Sequence, residues 1–155
     1  MMTNNTVNTV LPIPNFVNKN LPPGIHLTTW EEFKAKYGIN YKRNLQLEGL
    51  ERAIKEFKKA GSTKIFIDGS FVTEKKNPGD YDALYDLDEI DEGKIDNRLV
   101  DASLSGRRLQ KMSYQGEFFP MYANATSPVG SRYIDFFQKD KKTKQPKGII
   151  RIDLR

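Results

Sequence analysis

The sequence predicts an α/β (α+β) domain in which a small mixed sheet carries helices mainly on one face. Its 155 residues are the size of one ordinary domain, and no internal repeat or second apolar core is visible. A 3.6-residue apolar period at residues 41–59 predicts a long helix, whereas short apolar runs between turn residues predict strands. We therefore expect a single domain over residues 21–155, after an extended arm at residues 1–20 that is rich in Asn, Thr and Pro.

Capping signals set the limits of the predicted helices. Thr28 and Thr29 precede a segment with acids in its first turn, and Gly38 is expected to end this first helix. The long helix ends in lysines followed by Gly61, an order that the helix dipole favours. A third helix is expected over residues 107–114.

Five short runs are predicted to be strands. They are residues 64–68, 81–85, 118–122, 133–138 and 149–154. The run at residues 133–138 is a strong prediction, whereas the run at residues 118–122 is interrupted by Pro120, which lacks a backbone donor. A lysine-rich turn at residues 139–147 joins the last two strands.

The residue types present exclude several kinds of chemistry. The chain has no cysteine and one histidine, His26, so disulfides, thiolate zinc sites and cysteine nucleophiles are excluded. Carboxylates, lysines, arginines and hydroxyls are left to carry a reaction. No apolar run approaches the ~18 residues of a membrane span. Residues 1–16 show no signal-peptide pattern, so we expect a cytoplasmic protein without a membrane partner.

The charge is unevenly distributed along the chain. The net charge is +5, but residues 80–101 carry −7 and the remaining residues carry +12. Two interpretations of the acidic segment are a solvated acidic loop on a basic protein and a cation site whose basic surroundings attract phosphates. For the basic remainder, non-specific RNA binding is a third and weaker interpretation.

The most informative pattern joins a Gly-Ser pair to two aspartates. Gly69 and Ser70 follow one predicted strand, and nine residues later Asp80 and Asp82 open the next. Side chains at i and i+2 of a strand share a face, so the two carboxylates repel each other unless a cation lies between them. Mg²⁺ (or Mn²⁺) suits such oxygen ligands together with substrate phosphates, while Gly69 permits close backbone approach. The combination indicates phosphoryl or nucleotidyl transfer.

These residues resemble the signature of the nucleotidyltransferase superfamily, which includes polymerase beta and small stand-alone enzymes. The signature begins with a hydrophobic residue, then Gly, then either Gly or Ser. After a gap of about nine to thirteen residues it continues with Asp, a hydrophobic residue, either Asp or Glu, and a further hydrophobic residue, which residues 80–83 match. Asp68 stands where the superfamily has the hydrophobic residue. The resemblance implies the nucleotidyltransferase fold. Segments spread over residues 21–154 are also similar to an uncharacterised family of small bacterial and phage proteins related to these enzymes.

The resemblance also implies a third carboxylate on a later strand, which helps to hold the metal and can take the proton of the attacking hydroxyl. Asp135 and Asp153 are the candidates. We assign the role to Asp135, because on a strand it would share a face with two aromatic residues and would be poorly solvated without a partner. Asp153 shares its face with two arginines, which already explain it. We expect the Asp135 carboxylate within ~5 Å of Asp80 and Asp82.

Basic residues near the motif are candidates for binding phosphates. Lys75 and Lys76 lie between its two halves and could reach a triphosphate, and Arg107 and Arg108 could do the same from a later helix. For each of them an ordinary solvated side chain is the alternative. The lysines of residues 139–147 could contact nucleic acid or form a solvated turn.

The prediction is therefore an enzyme that transfers a nucleoside monophosphate from an NTP to an acceptor hydroxyl. Asp80, Asp82 and Asp135 would hold Mg²⁺, and Gly69 and Ser70 would hold the β- and γ-phosphates. The acceptor would be a protein, an RNA or a small molecule, in a toxin–antitoxin or phage-defence setting. The alternative is a catalytically inactive binding module of the same fold, acting as an antitoxin, an inhibitor or a phage counter-defence protein. The aspartate pair favours the enzyme, whereas the short chain favours the module.

Overall fold

The structure, a computed structural model, describes residues 12–125 and 131–155. Four α-helices and five strands account for most of the regular structure in these ranges. In chain order they are β1 (Gly24–Thr28), α1 (Trp30–Tyr37), α2 (Tyr41–Lys59), β2 (Lys64–Asp68), β3 (Tyr81–Tyr85), α3 (Leu104–Tyr114), β4 (Gly116–Pro120), α4 (Tyr133–Phe136) and β5 (Gly148–Asp153).

The five strands form one mixed sheet in the order β1-β5-β2-β3-β4. β2 pairs antiparallel with β3 and with β5, whereas the β1–β5 and β3–β4 pairs are parallel. The register places Asp68 opposite Asp82, and Asp82 opposite Glu117. Because side chains directly opposite each other share a face, these three carboxylates form a row across β2, β3 and β4.

The two faces of the sheet carry separate apolar clusters. The helices α1, α2 and α3 cover one face, where Phe57 and other buried side chains form the larger core. The opposite face carries a smaller cluster that includes Phe66 and Leu84 and the aromatic residues of the α4 region. Asp68 and Asp82 lie on this second face, because they are two residues from Phe66 and Leu84 respectively. The α/β class with helices mainly on one face is confirmed.

Most of the predicted elements are found, but the strand prediction for residues 133–138 is wrong. Residues 133–136 form α4, and Ile134 and Phe137 are both buried against the smaller cluster. A three-residue spacing brings two side chains to one face of a helix, whereas a strand would turn them to opposite faces. The sequence also fails to predict β1, which pairs with the distant β5 and leaves Ile25 and Leu27 partly exposed.

Most acids of the segment at residues 86–101 stabilise turns. Four aspartates occur five residues apart, and each accepts a hydrogen bond from the backbone N–H two residues further on. They are Asp86, Asp91, Asp96 and Asp101. Such side-chain-to-backbone bonds fix consecutive tight turns, so these four acids are explained by local structure.

The described part of the predicted arm, residues 12–20, packs against the domain. Ile13 is buried, and the Phe16 ring lies 6.2 Å from the ring of Tyr37 on α1. A boundary at residue 20 therefore does not separate this part from the core, while residues 1–11 lie outside the described ranges. Within the described residues, the structure contains no helix with the length and apolar character needed to cross a membrane.

Candidate metal and phosphate site

The turn after β2 brings the Gly-Ser pair next to the second aspartate of the motif. Gly69 has φ +86°, a region that glycine enters without strain, and Ser70 begins a 3₁₀ turn that ends at Val72. A Cβ on Gly69 would lie 2.6 Å from Asp82 Oδ2. The missing side chain therefore leaves the space in which the Asp82 carboxylate lies.

Three carboxylates meet at this end of the sheet. One oxygen each from Asp80, Asp82 and Glu117 lies within 4.8 Å of the other two. Asp80 and Asp82 share a face across the start of β3, and the parallel pairing of β4 adds Glu117 beside them. All three side chains are partly buried. Three hard oxygen ligands at this separation fit a divalent cation such as Mg²⁺, so the donor set suits the predicted metal.

Two basic residues of α3 face the cluster. Lys111 Nζ lies 3.3 Å from Asp80 Oδ2 and 3.7 Å from Glu117 Oε1. The Arg107 guanidinium lies 4.0 Å from Glu117 Oε2 and over the ring of Phe119. The negative charge of Glu117 raises the pKa of Lys111, which keeps the ammonium charged. These cations compensate part of the negative charge of the cluster.

The carboxyl of Asp82 is the most strongly perturbed acid of the site. Burial raises its pKa to about 8, and the negative charges of Asp80, Asp68 and Glu117 act in the same direction. Burial also raises the pKa of Asp68 to about 6, although Lys147 Nζ lies 3.2 Å from its Oδ1 and opposes the rise. Both shifts mean that the protein lacks enough positive charge at this point to keep every carboxylate ionised.

Side chains of α2 hold the loop between the two halves of the motif. The Arg43 guanidinium is almost fully buried and donates to three backbone carbonyls of the loop, those of Phe71, Thr73 and Lys75, over 2.6–3.1 Å. Gln46 donates to the Pro78 carbonyl over 2.8 Å. Because carbonyl groups on both sides of the loop are fixed from one helix, Arg43 positions the backbone that leads into Asp80.

A cavity of about 240 Å³ opens beside Asp80. Its basic lining residues are Lys42 of α2 and Lys111 of α3. Lys75 and Lys76, which the sequence predicts as ligands of a triphosphate, are exposed and do not line this cavity. The Lys75 carbonyl accepts a hydrogen bond from Arg43 of α2, and the Lys76 carbonyl accepts one from Asn40, the residue before α2.

Asp135 does not lie beside the aspartate pair. It is on α4, its side chain is 57% exposed, and its carboxylate pairs with Arg132 at 3.5 Å. The expectation that Asp135 lies on a strand beside Asp80 and Asp82 is therefore wrong, because the segment is helical. Asp153 pairs with Arg155 at 3.5 Å, as expected.

Glu117 and Lys111 belong to the site, but the sequence patterns do not predict them as site residues. Glu117 reaches the site only through the pairing of β4 with β3, and thirty residues, 86–115, separate these two strands. A weak signal exists for Lys111, because it is four residues after Arg107 and so shares a helical face with it. That stripe of two cations predicts an anionic neighbour but does not identify it.

The comparisons with known proteins give one match. Residues 14–153 match the model of a family described as a family of unknown function, DUF6932. No curated protein and no solved structure matches the chain significantly. The matched residues include every strand and helix described above and all the carboxylates of the cluster. The chain therefore belongs to the family DUF6932.

Proposed function

We propose that the protein is a metal-dependent nucleotidyltransferase, which moves a nucleoside monophosphate from an NTP to an acceptor hydroxyl. The observation that carries the proposal is the set of three carboxylates, Asp80, Asp82 and Glu117, within 4.8 Å of one another beside the Gly69 turn. Oxygen ligands in such a cluster suit Mg²⁺, which is bound in proteins through one or two carboxylates together with phosphate oxygens. The resemblance of residues 69–82 to the superfamily signature supports the same reaction.

In the proposed reaction the acceptor oxygen attacks the α-phosphorus of the NTP and the bond to the β-phosphate oxygen breaks. Pyrophosphate leaves, and the proton of the acceptor hydroxyl passes to a carboxylate, for which Glu117 replaces Asp135 as our candidate. The metal supplies positive charge that stabilises the negative charge on the transferring phosphoryl group. Ser70 and the backbone of its turn would bind the β- and γ-phosphates.

The cations of α3 and α2 have a role in this proposal. Lys111 faces two of the carboxylates, and Lys42 lines the same cavity of about 240 Å³. If Asp80, Asp82 and Glu117 held a divalent cation, the Lys111 ammonium would be free to bind a phosphate oxygen on the cavity side. Arg107 remains beside Glu117 and limits its negative charge.

A specific observation favours the alternative, an inactive binding module. Lys111 contacts both Asp80 and Glu117, so an ammonium group already neutralises part of the cluster. A fold that has lost catalysis can keep its acids in this way, paired with an internal cation. In that case the protein binds a nucleotide or a protein partner without turnover.

The test is calorimetry with each of the four NTPs in the presence of Mg²⁺ or Mn²⁺. We expect metal-dependent binding by the wild type and its loss in the variant Asp80→Asn/Asp82→Asn. A matched control, Asp88→Asn/Asp135→Asn, removes the same charge from exposed acids and should bind like the wild type. Unchanged NTP affinity in the Asp80→Asn/Asp82→Asn protein would contradict the metal site.

A second measurement separates the enzyme from the module. The protein is incubated with α-³²P-labelled NTP, metal and a cell extract, and labelled macromolecules are resolved on a gel. Label transfer that depends on Asp82 supports the nucleotidyltransferase. Metal-dependent NTP binding without any transfer supports the module.

A further inference from the structure

The turn between α4 and β5 is rich in lysine. Residues 139–147 contain five lysines and one aspartate, Asp140. Asp140 Oδ1 accepts from the backbone N–H groups of Lys142 and Thr143, at 2.8 and 3.0 Å, and Asn20 donates to its Oδ2. The turn is therefore built around one carboxylate, which fixes the positions from which its lysines extend.

Three of these lysines surround a cavity. Lys139, Lys141 and Lys144 line a concavity of about 370 Å³, together with the partly buried ring of Phe136 and the hydroxyl-bearing Ser131. All three lysines are exposed. Their ammonium groups are thus available to a ligand that enters from solvent.

The two acids of the same cavity are already engaged. Asp135 pairs with Arg132, and the hydrogen bonds from residues 142 and 143 lower the pKa of Asp140 to about 2. In residues 12–125 and 131–155, none of the three cavity lysines has a carboxylate within 4.0 Å. The remaining residues, 1–11 and 126–130, contain no aspartate or glutamate. The three cavity lysines therefore have no ion-pair partner among the described residues, and the rest of the chain offers no acid.

The turn that carries these lysines ends beside the carboxylate row. Lys147, its last residue, lies outside the cavity, and its Nζ is 3.2 Å from Asp68 Oδ1. The same turn therefore connects the lysine cavity to the carboxylate row. Lys142 extends the same positive surface outside the cavity.

We infer that Lys139, Lys141 and Lys144 bind the phosphate backbone of single-stranded nucleic acid. Lysine ammonium groups bind phosphates as point charges, and the Phe136 ring can stack on an unpaired base. Sites for small molecules are lined mainly by apolar side chains, whereas Phe136 is the one apolar residue among the described residues that line this concavity. Exposed lysines in a row along one turn suit a continuous polyanion instead. The binding claim stands without catalysis at the cluster. A further role, in which the bound nucleic acid supplies the acceptor hydroxyl, rests on the proposed function.

The test is fluorescence anisotropy with a labelled 12-nucleotide oligouridine RNA, over a series of salt concentrations. The variant Lys139→Gln/Lys141→Gln/Lys144→Gln should bind at least 10-fold more weakly than the wild type. The slope of log K against log[salt] is negative, and its magnitude should decrease by about 2, since each lost phosphate contact on a single strand contributes ~0.7. The control Lys55→Gln/Lys58→Gln/Lys59→Gln removes the same charge from the exposed face of α2 and should stay within 2-fold of the wild type.

Three outcomes would overturn the inference. They are equal losses in the two triple variants, equal affinity of the wild type for a polyglutamate peptide, and equal affinity for a duplex of the same length. Failure of the proposed function is seen separately, because Asp80→Asn/Asp82→Asn should keep RNA binding whether or not it loses Mg²⁺–NTP binding. If the cavity variant loses Mg²⁺–ATP binding but keeps RNA binding, the lysines serve the triphosphate and the inference is wrong.

Discussion

The molecule has two acidic regions that are adjacent in sequence but differ in how their carboxylates are satisfied. In the turns of residues 86–101, side-chain hydrogen bonds from Arg98 and Tyr114 lower the pKa of Asp96 to about 2. At the cluster, burial and neighbouring negative charges raise the pKa of Asp82 to about 8. The first region has a donor for its ionised carboxylates, whereas the second has more carboxylates than donors.

The difference shows which acids are candidates for binding a cation. An acid that caps a turn already accepts hydrogen bonds from backbone N–H groups. A carboxylate forced against others in a desolvated place is unfavourable in the isolated protein, and a bound cation removes that cost. The density of acids in the sequence does not distinguish the two cases, whereas hydrogen-bond partners and strand register do.

Asp82→Asn should give the largest effect. It removes a proposed metal ligand, so we expect Mn²⁺ affinity to fall about 100-fold, which is ~2.7 kcal/mol. Without metal, the same change should stabilise the fold at pH 8 by at least about 2 kcal/mol, or about 5 °C in Tm. Calorimetry and thermal melts measure the two effects.

The pH dependence of stability tests whether Asp82→Asn stabilises the metal-free protein. Because the folded-state pKa of Asp82 is raised to about 8, the folded protein holds a proton that the unfolded chain releases near pH 4. Wild-type stability should fall as the pH rises from about 4 to about 8, and Asp82→Asn should show a smaller fall, confined to the range below about pH 6 in which Asp68 titrates. A stability difference between the two proteins that does not grow over this pH range would contradict the account.

Gly69→Ala should have the second largest effect. The new Cβ would meet Asp82 Oδ2 at 2.6 Å, at a backbone φ of +86° that alanine adopts with strain. We expect a loss of about 2 kcal/mol in unfolding free energy and weaker cation binding. Gly79→Ala is the control, because its Cβ would have no neighbour within 4 Å, and it should change stability by less than about 0.5 kcal/mol. Equal effects of the two substitutions would show that the Gly69 turn has no special constraint.

Sequence patterns predict the local half of the site and miss the non-local half. The alternation of a strand is enough to put Asp80 and Asp82 on one face, and a glycine before them marks the close approach. Glu117 joins them through the parallel β3–β4 pairing, which nothing within either segment specifies. Asp135 is misplaced because an aromatic-rich run satisfies strand preferences, while the tertiary contacts of Ile134 and the residues after it favour a helix.

Asp96→Asn tests the capped aspartates of residues 86–101. The ionised carboxylate of Asp96 accepts hydrogen bonds from Arg98 and Tyr114. Its folded-state pKa is lowered, so it contributes stability above pH 4 that is lost as the pH falls towards 2. We expect Asp96→Asn to destabilise the fold by about 1–2 kcal/mol at pH 7, opposite in sign to Asp82→Asn. Chemical denaturation at pH 7 measures both, and two changes of the same sign would remove the distinction between the regions.

Lys111→Met should give the smallest effect. Its ammonium competes with a cation for Asp80 and Glu117, but it is 49% exposed, so the contacts are worth only ~0.2–1 kcal/mol. We expect Mn²⁺ affinity to rise about 2- to 5-fold. Lys94→Met, which removes a contact with Asp91 in the turn region, should leave Mn²⁺ affinity unchanged. A loss of affinity in Lys111→Met would mean that Lys111 supports the cation site.

Anomalous diffraction from crystals grown with Mn²⁺ tests the central claim most directly. The account predicts an anomalous peak coordinated by oxygens of Asp80, Asp82 and Glu117, with Lys111 turned away from them. It also predicts no peak at the capped aspartates of residues 86–101. An empty cluster at saturating Mn²⁺, with Lys111 still bridging Asp80 and Glu117, would contradict the account.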